Sequence, residues 1–421
     1  MSRYSHLKTG TILVILSSIL ALTSSQPSNG SFHLSLIHRD SSFSPLYNPR
    51  ETLYDRVRYS FIRSKARLSY LISRVDGDGG DFQGSIEADD GEYFVRFSIG
   101  TPPVQMLASI DTASPMVLTR CLRSLTYNNI TCNSSNCALL PDNACDSSNM
   151  CSFSYRSNSL IGSDVFTFEP SNGGVIPLEN IIFGCEYGSD TTFTRSNGIL
   201  GLGYHNLSLI MQTSSITEPK FTYCLGKISD PEAKRFLVLG SGFFLEGQTT
   251  SLKVIEGKYN LVLEGISIGR KKLMIPPEIF QQRTPLGGGV IIDAETTLTF
   301  LAPLAYNQLV GDLEKELGLA MVIWPDPPYD RCYNGKLSDI QKFRGLIFHF
   351  EREVNVLLGI DNLFLQVDDG MFCLAVLPSP VGGTSVLGSL FQQSYSVGYH
   401  LGQMLVSFQP MQCELIEQHL S

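Results

Sequence analysis

Tryptophan and charged residues are scarce in this chain. Its 421 residues include one Trp, and 17% of them are charged while 43% are hydrophobic. This composition is that of a globular protein rather than a disordered one, and the length is sufficient for two or three domains. After residue 25 no stretch is long and apolar enough to cross a bilayer, so we expect no membrane anchor.

Several catalytic and cofactor motifs are also missing. The sequence has no CxxC pair, no HExxH, no GxSxG, no P-loop and no Rossmann fingerprint, and its seven histidines are not clustered. The motifs for zinc hydrolysis, serine hydrolysis and nucleotide binding are therefore absent. We expect neither a metal nor a cofactor.

Positive charge is unevenly distributed. Residues 81–421 contain 21 Lys and Arg against 35 Asp and Glu, a net charge of −14, whereas residues 26–80 contain eight basic and five acidic residues. Nucleic-acid binding needs a basic surface, so we expect no nucleic-acid partner. A basic leader in front of an acidic body suggests a detachable partner that is held partly by charge.

The first 25 residues are typical of a signal peptide. Arg3 and Lys8 precede the short apolar run "TILVILSSILAL" (11–22), which predicts a secreted, extracellular protein rather than a vacuolar one. The even number of cysteines favours five disulfides in an oxidising compartment. The cysteines are Cys121, Cys132, Cys137, Cys145, Cys151, Cys185, Cys224, Cys332, Cys373 and Cys413, and glycosylation sequons occur at Asn29, Asn129, Asn133 and Asn206.

The pattern along the chain predicts a short helical leader and a β-rich body. Residues 50–72 have apolar side chains at helical spacing, and "DGDGGD" (76–81) is typical of a flexible link. From residue 91 onward, short runs rich in Val, Ile, Phe, Tyr and Thr alternate with turn residues, and 303–319 is the best further helix. We divide the chain into a signal peptide (1–25), a propeptide (26–80), an N-terminal β lobe (81–248) and a C-terminal β lobe (249–421).

A long-period repeat connects the two lobes. "ASIDTAS" (108–114) is similar to "VIIDAET" (290–296), and each is followed by an apolar-Gly signal, "GILGLG" (198–203) or "TSVLGS" (384–389). If duplicated lobes pack face to face, Asp111 and Asp293 meet across a cleft. One carboxyl of such a pair keeps its proton while the other stays charged, so the pair can act as acid and base on a water without a metal.

These residues resemble the plant nepenthesin-like branch of the pepsin-type aspartic proteases. The resemblance runs from "LIHRDSSFSPLYN" (36–48) through "FSIGTPP" (97–103) and "IIDAETTLTFL" (291–301) to "VSFQPMQC" (406–413). It implies a mainly β, bilobal pepsin-like fold with two β-barrel-like lobes, a central cleft, a hairpin flap and few short helices. It also implies peptide or protein substrates and a propeptide that occupies the cleft, and we expect a monomer.

The two catalytic motifs depart from the family patterns D-T-G-S and D-S-G-T. Both aspartates remain, as do Thr112, Ser114 and Thr296, which the resemblance makes supporting hydroxyls for the carboxylates. Both glycines are replaced, by Ala113 and Glu295, and one hydroxyl residue is replaced by Ala294. A side chain tolerated in a relaxed site is the favoured interpretation of Glu295. If it points inward, its charge should disturb the pair.

The resemblance also assigns the flap and the disulfides. Tyr155 is the best match to the flap tyrosine. The pairing implied by the family is Cys121–Cys185, Cys132–Cys151, Cys137–Cys145, Cys224–Cys413 and Cys332–Cys373.

Two functions remain open. The first is a secreted aspartic endopeptidase made as a zymogen, with activity that the altered motifs impair. The second is a catalytically inactive binding or inhibitor protein of the same fold. The leader and both aspartates favour the enzyme, whereas the lost glycines and hydroxyl favour the binder.

Overall fold

The structure is a computed structural model. It describes residues 30–73 and 91–415, apart from 123, 141–142, 155–157, 172, 187–195, 242–246, 285–286, 323–328, 330 and 380–382. The predicted signal peptide (1–25), the link at 76–81, Asn29 and Tyr155 lie outside the described residues. We call residues 30–73 the N-terminal segment and residues 91–415 the body.

Strands dominate the described part of the chain. Those of the N-terminal segment and the first half of the body are β1 Phe32–Ser35, β2 Ile37–His38, β3 Tyr93–Ile99, β4 Val104–Asp111, β5 Val117–Arg120, β6 Asn128–Asn129, β7 Asn143–Cys145, β8 Cys151–Ser154, β9 Asn158–Phe168, β10 Ile176–Glu186, β11 Gly198–Gly201, β12 Lys220–Cys224 and β13 Phe236–Leu239. Those of the second half are β14 Gln248–Ile255, β15 Lys258–Leu261, β16 Leu263–Ile268, β17 Lys271–Lys272, β18 Gln282–Thr284, β19 Gly287–Gly288, β20 Val290–Ile292, β21 Thr299–Leu301, β22 Met321–Val322, β23 Cys332–Asn334, β24 Leu346–Phe350, β25 Val354–Leu358, β26 Phe364–Asp368, β27 Met371–Leu374, β28 Val376–Pro378, β29 Ser385–Leu387, β30 Tyr395–His400 and β31 Leu405–Pro410.

Helices are few, and only two of those described exceed one turn. The described α-helices are α1 Leu53–Ser73, α2 Ser135–Ala138, α3 Leu209–Gln212, α4 Ser214–Thr217, α5 Pro303–Leu317, α6 Ile360–Leu363 and α7 Ser389–Gln392. The long helices α1 and α5 confirm the two helices predicted at 50–72 and 303–319. No described helix has the length and apolarity needed to cross a membrane.

The two halves of the body repeat one strand arrangement, which confirms the mainly β, bilobal fold class. In the first half β4 pairs in parallel with β11, β11 is antiparallel to β5, and β5 is parallel to β10. In the second half β20 pairs in parallel with β29, β29 is antiparallel to β21, and β21 is parallel to β28. Because each aspartate ends or follows the first strand of its set, the duplication brings the two motifs to equivalent positions.

The glycines of the two apolar-Gly signals let these strands approach closely. A Cβ on Gly201 would lie 2.1 Å from the Met116 carbonyl oxygen, and one on Gly388 would lie 2.3 Å from that of Leu298. Side-chain atoms do not occupy such distances, so only glycine fits at these crossings. The repeated signals in the sequence therefore mark the backbone contact that supports each aspartate loop.

The N-terminal segment is built into the sheets of the body. Strand β1 pairs antiparallel with β13 at one end of an eleven-stranded sheet, and β2 pairs antiparallel with β3 in a ten-stranded sheet. Helix α1 packs its apolar side chains Val57, Phe61 and Leu68 into a cluster that contains Leu298 and Phe300 of the body. The segment thus contributes to the buried core of the molecule.

All ten cysteines form disulfides, but two predicted pairs are wrong. The bonds are Cys121–Cys185, Cys132–Cys145, Cys137–Cys151, Cys224–Cys413 and Cys332–Cys373. Cys137 and Cys151 are buried in the same apolar cluster, whereas Cys145 lies exposed on the outer hairpin strand. The predicted pairs Cys132–Cys151 and Cys137–Cys145 would each join a buried sulfur to one nearer the surface.

Candidate active site

Asp111 is the last residue of β4, and its side chain is completely buried. The turn that follows directs main-chain N–H groups at it: the amides of Ala113 and Ser114 donate to Asp111 Oδ1 at 2.8 and 3.1 Å. The methyl group of Ala113, at a position where the family has glycine, does not prevent this approach. The carboxylate is therefore held by the backbone of its own loop.

Asp293 occupies the equivalent place after β20 and is equally buried. The hydroxyl and the amide of Thr296 donate to Asp293 Oδ2 at 2.6 and 2.9 Å. Thr112 joins the two loops, because its hydroxyl donates to Asp293 Oδ1 at 3.3 Å and accepts from the Ala294 amide at 3.2 Å. A glutamine of α7, which no sequence motif marked, also supports this loop, because Gln392 Nε2 donates to the Asp293 carbonyl oxygen at 3.1 Å.

The role expected for the Ser114 hydroxyl is not the one observed. Ser114 Oγ donates to the carbonyl oxygen of Met116 at 3.0 Å, while it is the Ser114 amide that contacts Asp111. The turn after Asp111 places the hydroxyl beside its own backbone, where a local acceptor satisfies it. Thr112 and Thr296, in contrast, each contact a carboxylate of the pair through a hydroxyl.

Glu295 points into the site rather than away from it, a direction that the sequence left open. It is 6% exposed. Its Oε1 accepts a hydrogen bond from Ser109 Oγ at 3.3 Å, and its Oε2 lies 2.6 Å from Arg67 Nη1. The site therefore contains three buried carboxylates, two from the paired motifs and one that replaces a glycine.

A guanidinium group from the N-terminal segment joins the three carboxylates. Arg67 Nη2 donates to Asp111 Oδ1 at 2.6 Å and to Asp293 Oδ1 at 3.0 Å. Arg67 Nη1 donates to Asp111 Oδ2 at 3.0 Å, and Nε donates to Asp293 Oδ2 at 3.1 Å. Because both aspartates bind the same nitrogen, their carboxyl groups lie as close together as the repeat predicted.

Burial of Arg67 is compensated by this negative charge. Desolvation alone would lower the pKa of its guanidinium, but the three surrounding carboxylates raise that pKa well above its usual value. A buried ion of one sign is tolerated only with close partners of the other sign. Arg67 is one of eight basic residues in the region 26–80, and no local sequence pattern distinguished it.

Further polar contacts hold α1 against the body. Ser64 Oγ accepts from the amides of Thr297 and Leu298, both at 3.2 Å, one turn before Arg67. One turn after Arg67, the Leu71 carbonyl oxygen accepts from Lys258 Nζ at 2.6 Å. Residues 64, 67 and 71 are spaced so that they share one face of a helix. That face covers the paired aspartates.

A second buried ionic cluster lies where the segment meets the start of β3. Glu92 Oε1 accepts from Arg63 Nη2 at 2.6 Å and from the Thr297 hydroxyl at 2.7 Å. His38 Nε2 lies 3.7 Å from Glu92 Oε2, and its Nδ1 accepts from the amide of Asp40 at 3.1 Å. Burial lowers the pKa of His38 to about 3, so the ring is neutral at neutral pH. Burial also acts to raise the pKa of Glu92, but the nearby cations outweigh it and lower that pKa to about 2.

The described sequons are accessible, and no metal cluster accompanies the site. The side chains of Asn129, Asn133 and Asn206 are exposed. Within the described residues, no group of three or more His, Cys, Asp or Glu side chains has the geometry to hold a metal ion. The close approach of Asp111 and Asp293 is the arrangement needed for carboxyl acid–base chemistry.

Comparisons with known proteins give a consistent picture. The family models described as "Xylanase inhibitor N-terminal" and "Xylanase inhibitor C-terminal" match residues 93–241 and 258–410. A probable aspartic protease of Arabidopsis thaliana is 30% identical over 94% of this chain and 96% of its own length. The aspartic proteinase nepenthesin-1 of Nepenthes gracilis is 28% identical over 91% of this chain and 90% of its own.

Solved structures with the same fold include a soybean protein. The basic 7S globulin from soybean has a TM-score of 0.65 and 19% identity, and the alignment covers 78% of this chain and 95% of the globulin. The protein described as edgp has a TM-score of 0.68 and 16% identity, with 94% and 98% coverage. At these identities the likeness concerns the fold alone.

Proposed function

Because the chain belongs to the plant nepenthesin-like branch of the pepsin-type aspartic proteases, we propose that it is a secreted aspartic endopeptidase made as a zymogen. One observation carries the proposal: the two motif aspartates lie together in a buried site, and a side chain of the N-terminal segment binds both. The pair has the geometry for acid–base catalysis, and the segment occupies the place where a substrate would reach it.

In the proposed mechanism the pair works with one shared proton after Arg67 has left. The charged carboxylate takes a proton from a water while the water oxygen attacks the peptide carbonyl carbon. The protonated carboxyl gives its proton to the carbonyl oxygen as the tetrahedral intermediate forms. When the intermediate collapses, the C–N bond breaks, one of its two hydroxyl groups returns a proton to the pair, and the leaving amine takes up a proton from the pair, which again holds one proton. Ala113, Ser114, Thr112 and Thr296 hold the two carboxyl groups in position through the hydrogen bonds described above.

The segment would inhibit this chemistry in two ways. Arg67 neutralises part of the charge that the base requires, and its nitrogens take the carboxylate oxygens that would bind water. Helix α1 also fills the cleft over the pair, with its Ser64 face on Thr297 and Leu298. We propose that acidification detaches residues up to about 80. The buried His38 of the segment can take up a proton once it is released, and protonation of carboxylates weakens their pairing with the basic side chains of the segment.

The proposed secretion rests on the disulfides and the predicted signal peptide. No free cysteine occurs among the ten, and such complete pairing is typical of proteins that fold in an oxidising compartment. The exposed sequons at Asn129, Asn133 and Asn206 are compatible with glycosylation along that route.

Glu295 favours a second candidate, a catalytically inactive binding protein. A third carboxylate beside the pair adds negative charge, which disfavours the singly protonated state that the mechanism requires. In this alternative the cleft binds a ligand and does not hydrolyse it.

The test is acidification of the purified full-length protein with a peptide library, with and without a pepstatin-type inhibitor. The endopeptidase predicts loss of the N-terminal segment and inhibitor-sensitive cleavage, both absent or strongly reduced in Asp293→Asn. Segment loss without any peptide cleavage, in wild type and Asp293→Asn alike, would refute the enzyme and support the binding protein.

A further inference from the structure

We propose that Asp111, Asp293 and Glu295 form a guanidinium pocket that takes an arginine side chain of another peptide once Arg67 has left. The inference rests on the proposed function in one respect, because it requires that the N-terminal segment vacates the cleft. It adds the chemical class of the ligand, an arginine-bearing peptide. It also assigns a task to Glu295, which the paired-aspartate chemistry does not use.

The geometry around Arg67 is selective for a planar, forked cation. All three guanidinium nitrogens are used: Nη2 contacts both aspartates, Nη1 contacts Asp111 and Glu295, and Nε contacts Asp293, at distances from 2.6 to 3.1 Å. An ammonium group has a single nitrogen, so it cannot replace three guanidinium nitrogens that bind three separate carboxylates. A lysine side chain would therefore lose most of these contacts.

Glu295 completes the pocket on one side. Without its carboxylate, Arg67 Nη1 would keep only the 3.0 Å contact to Asp111 Oδ2 and would lose the shorter one of 2.6 Å. The Glu295 side chain is held in place by Ser109, whose hydroxyl donates to it, and both belong to the body. The pocket therefore stays with the body when the segment leaves.

The charge balance also favours a cation in the emptied site. A pair of aspartates that shares one proton has a net charge of −1, and an ionised Glu295 beside it brings the total to −2. The three carboxyl groups all lie within contact distance of one guanidinium, so their charges repel one another when the site is empty, and a cation that enters relieves this repulsion. Since a bound guanidinium occupies the oxygens that would activate water, arginine peptides should bind as competitive ligands rather than as substrates.

The experiment empties the pocket in the full-length chain. In Arg67→Ala, the cavity left by the side chain is offered ethylguanidinium or, as the matched control, ethylammonium. Binding is measured by calorimetry and by the shift in thermal unfolding. The proposal predicts that ethylguanidinium binds at least tenfold more tightly than ethylammonium. In Arg67→Ala/Glu295→Gln the affinity for ethylguanidinium should fall by about tenfold or more, because Gln keeps an acceptor oxygen but loses the charge that strengthens the hydrogen bond.

Equal binding of the two cations, no binding of either, or an affinity that Glu295→Gln leaves unchanged would overturn the proposal. If Arg67→Ala does not fold, Arg67→Lys keeps the charge. Glu295→Gln should then reduce the hydrogen-exchange protection of α1 by about tenfold in the wild-type background but much less in the Arg67→Lys background, since the fork that Glu295 binds is absent there. Equal losses in both backgrounds would count against the pocket.

These outcomes are separable from those of the proposed function. The binding measurement requires no catalysis, so a protein that never cleaves peptides can still pass it. Conversely, a protein with acid-activated cleavage but no preference for ethylguanidinium would retain the proposed function and lose this inference.

Discussion

Acidification should loosen the N-terminal segment chiefly through His38. The ring extends from β2 into the body, where Tyr93 lies edge-on at 5.3 Å between ring centroids and Glu92 Oε2 lies 3.7 Å from His38 Nε2. Desolvation, together with the nearby cations Arg235 and Arg39, outweighs the opposite effect of Glu92 and lowers the pKa of His38 from 6.5 to about 3. Once detached and hydrated, the same ring takes up a proton near pH 6.5, so the detached state binds more protons below that pH.

The size of the effect on attachment follows from the difference between the pKa of His38 in the attached and in the detached segment. Attachment has its full strength above pH 6.5, weakens by about 1.4 kcal/mol for each unit below it, and stops weakening through His38 near pH 3. At pH 4 the loss is about 3 kcal/mol, a fall of roughly two orders of magnitude in the attachment equilibrium. Glu92, whose pKa falls from 4.5 to about 2 on attachment, adds about 1 kcal/mol at pH 4 with the same sign. Burial raises the pKa of Asp40, and this opposes the loss.

Hydrogen exchange measures this equilibrium directly. Protection of residues 32–38 and 53–73, corrected for the intrinsic exchange rate at each pH, should fall between pH 7 and pH 4 in the wild type. His38→Gln keeps an acceptor for the Asp40 amide but removes the titrating ring, so it should lose most of that pH dependence. The contributions of Glu92, Asp40 and the buried His33, whose pKa burial also lowers, remain in both proteins.

The matched control is His349→Gln, in β24, since that ring contacts Ser267 and Asn355 rather than the segment. It should follow the wild-type curve. If His38→Gln shows the same dependence of protection on pH as the wild type, the reasoning from burial of this ring is refuted.

Three further predictions concern single positions. Gly388→Ala should destabilise the protein by several kcal/mol because its Cβ would lie 2.3 Å from a carbonyl oxygen. The control Gly311→Ala, on α5 with no atom near its Cβ, should be neutral or stabilising by up to about 1 kcal/mol. Equal urea unfolding midpoints for the two variants would contradict this. Lys258→Met removes the hydrogen bond to the Leu71 carbonyl and should reduce the protection of α1 by about 1.5–3 kcal/mol; unchanged exchange there would be evidence against that anchor. Glu295→Gly removes one of the carboxylates that bind Arg67, so the segment should be released at a higher pH, as measured by peptide mapping. Peptide cleavage after release should be faster, as measured by turnover. A fall in cleavage at unchanged protein stability would contradict the view that the charge of Glu295 hinders the two aspartates.

The pairing of Asp111 with Asp293 could be predicted from the sequence because it depends on repetition. Each motif recurs with its own apolar-Gly signal, and equal local sequences fold into equal strand arrangements. The helix at 50–72 was predictable for a similar reason, since its periodicity is local. What the pattern established was which side chains share a face, not what that face contacts.

The direction of Glu295 and the partner of Arg67 could not be predicted in this way. Each depends on a contact between parts of the chain that are far apart in sequence, and neither motif encodes the other. The two wrong disulfides have a related cause, because Cys145 and Cys151 sit opposite each other in one hairpin. Family resemblance supplied a pairing there, but which of the two sulfurs lies on the buried side depends on the packing of the hairpin against the body.

The burial of Arg67 and the burial of Glu295 explain each other, because each residue neutralises the charge of the other. A third carboxylate buried beside two aspartates would be a severe electrostatic cost, and a guanidinium enclosed by neutral groups would be equally unfavourable. Together they form a buried ion pair with a nitrogen–oxygen distance of 2.6 Å. The replacement of glycine by glutamate is then not simple erosion of a catalytic motif. Glu295 strengthens the contact between the segment and the body. In the proposed zymogen it would also leave excess negative charge beside the aspartates once the segment has gone, so the substitution that favours latency would weaken the free pair.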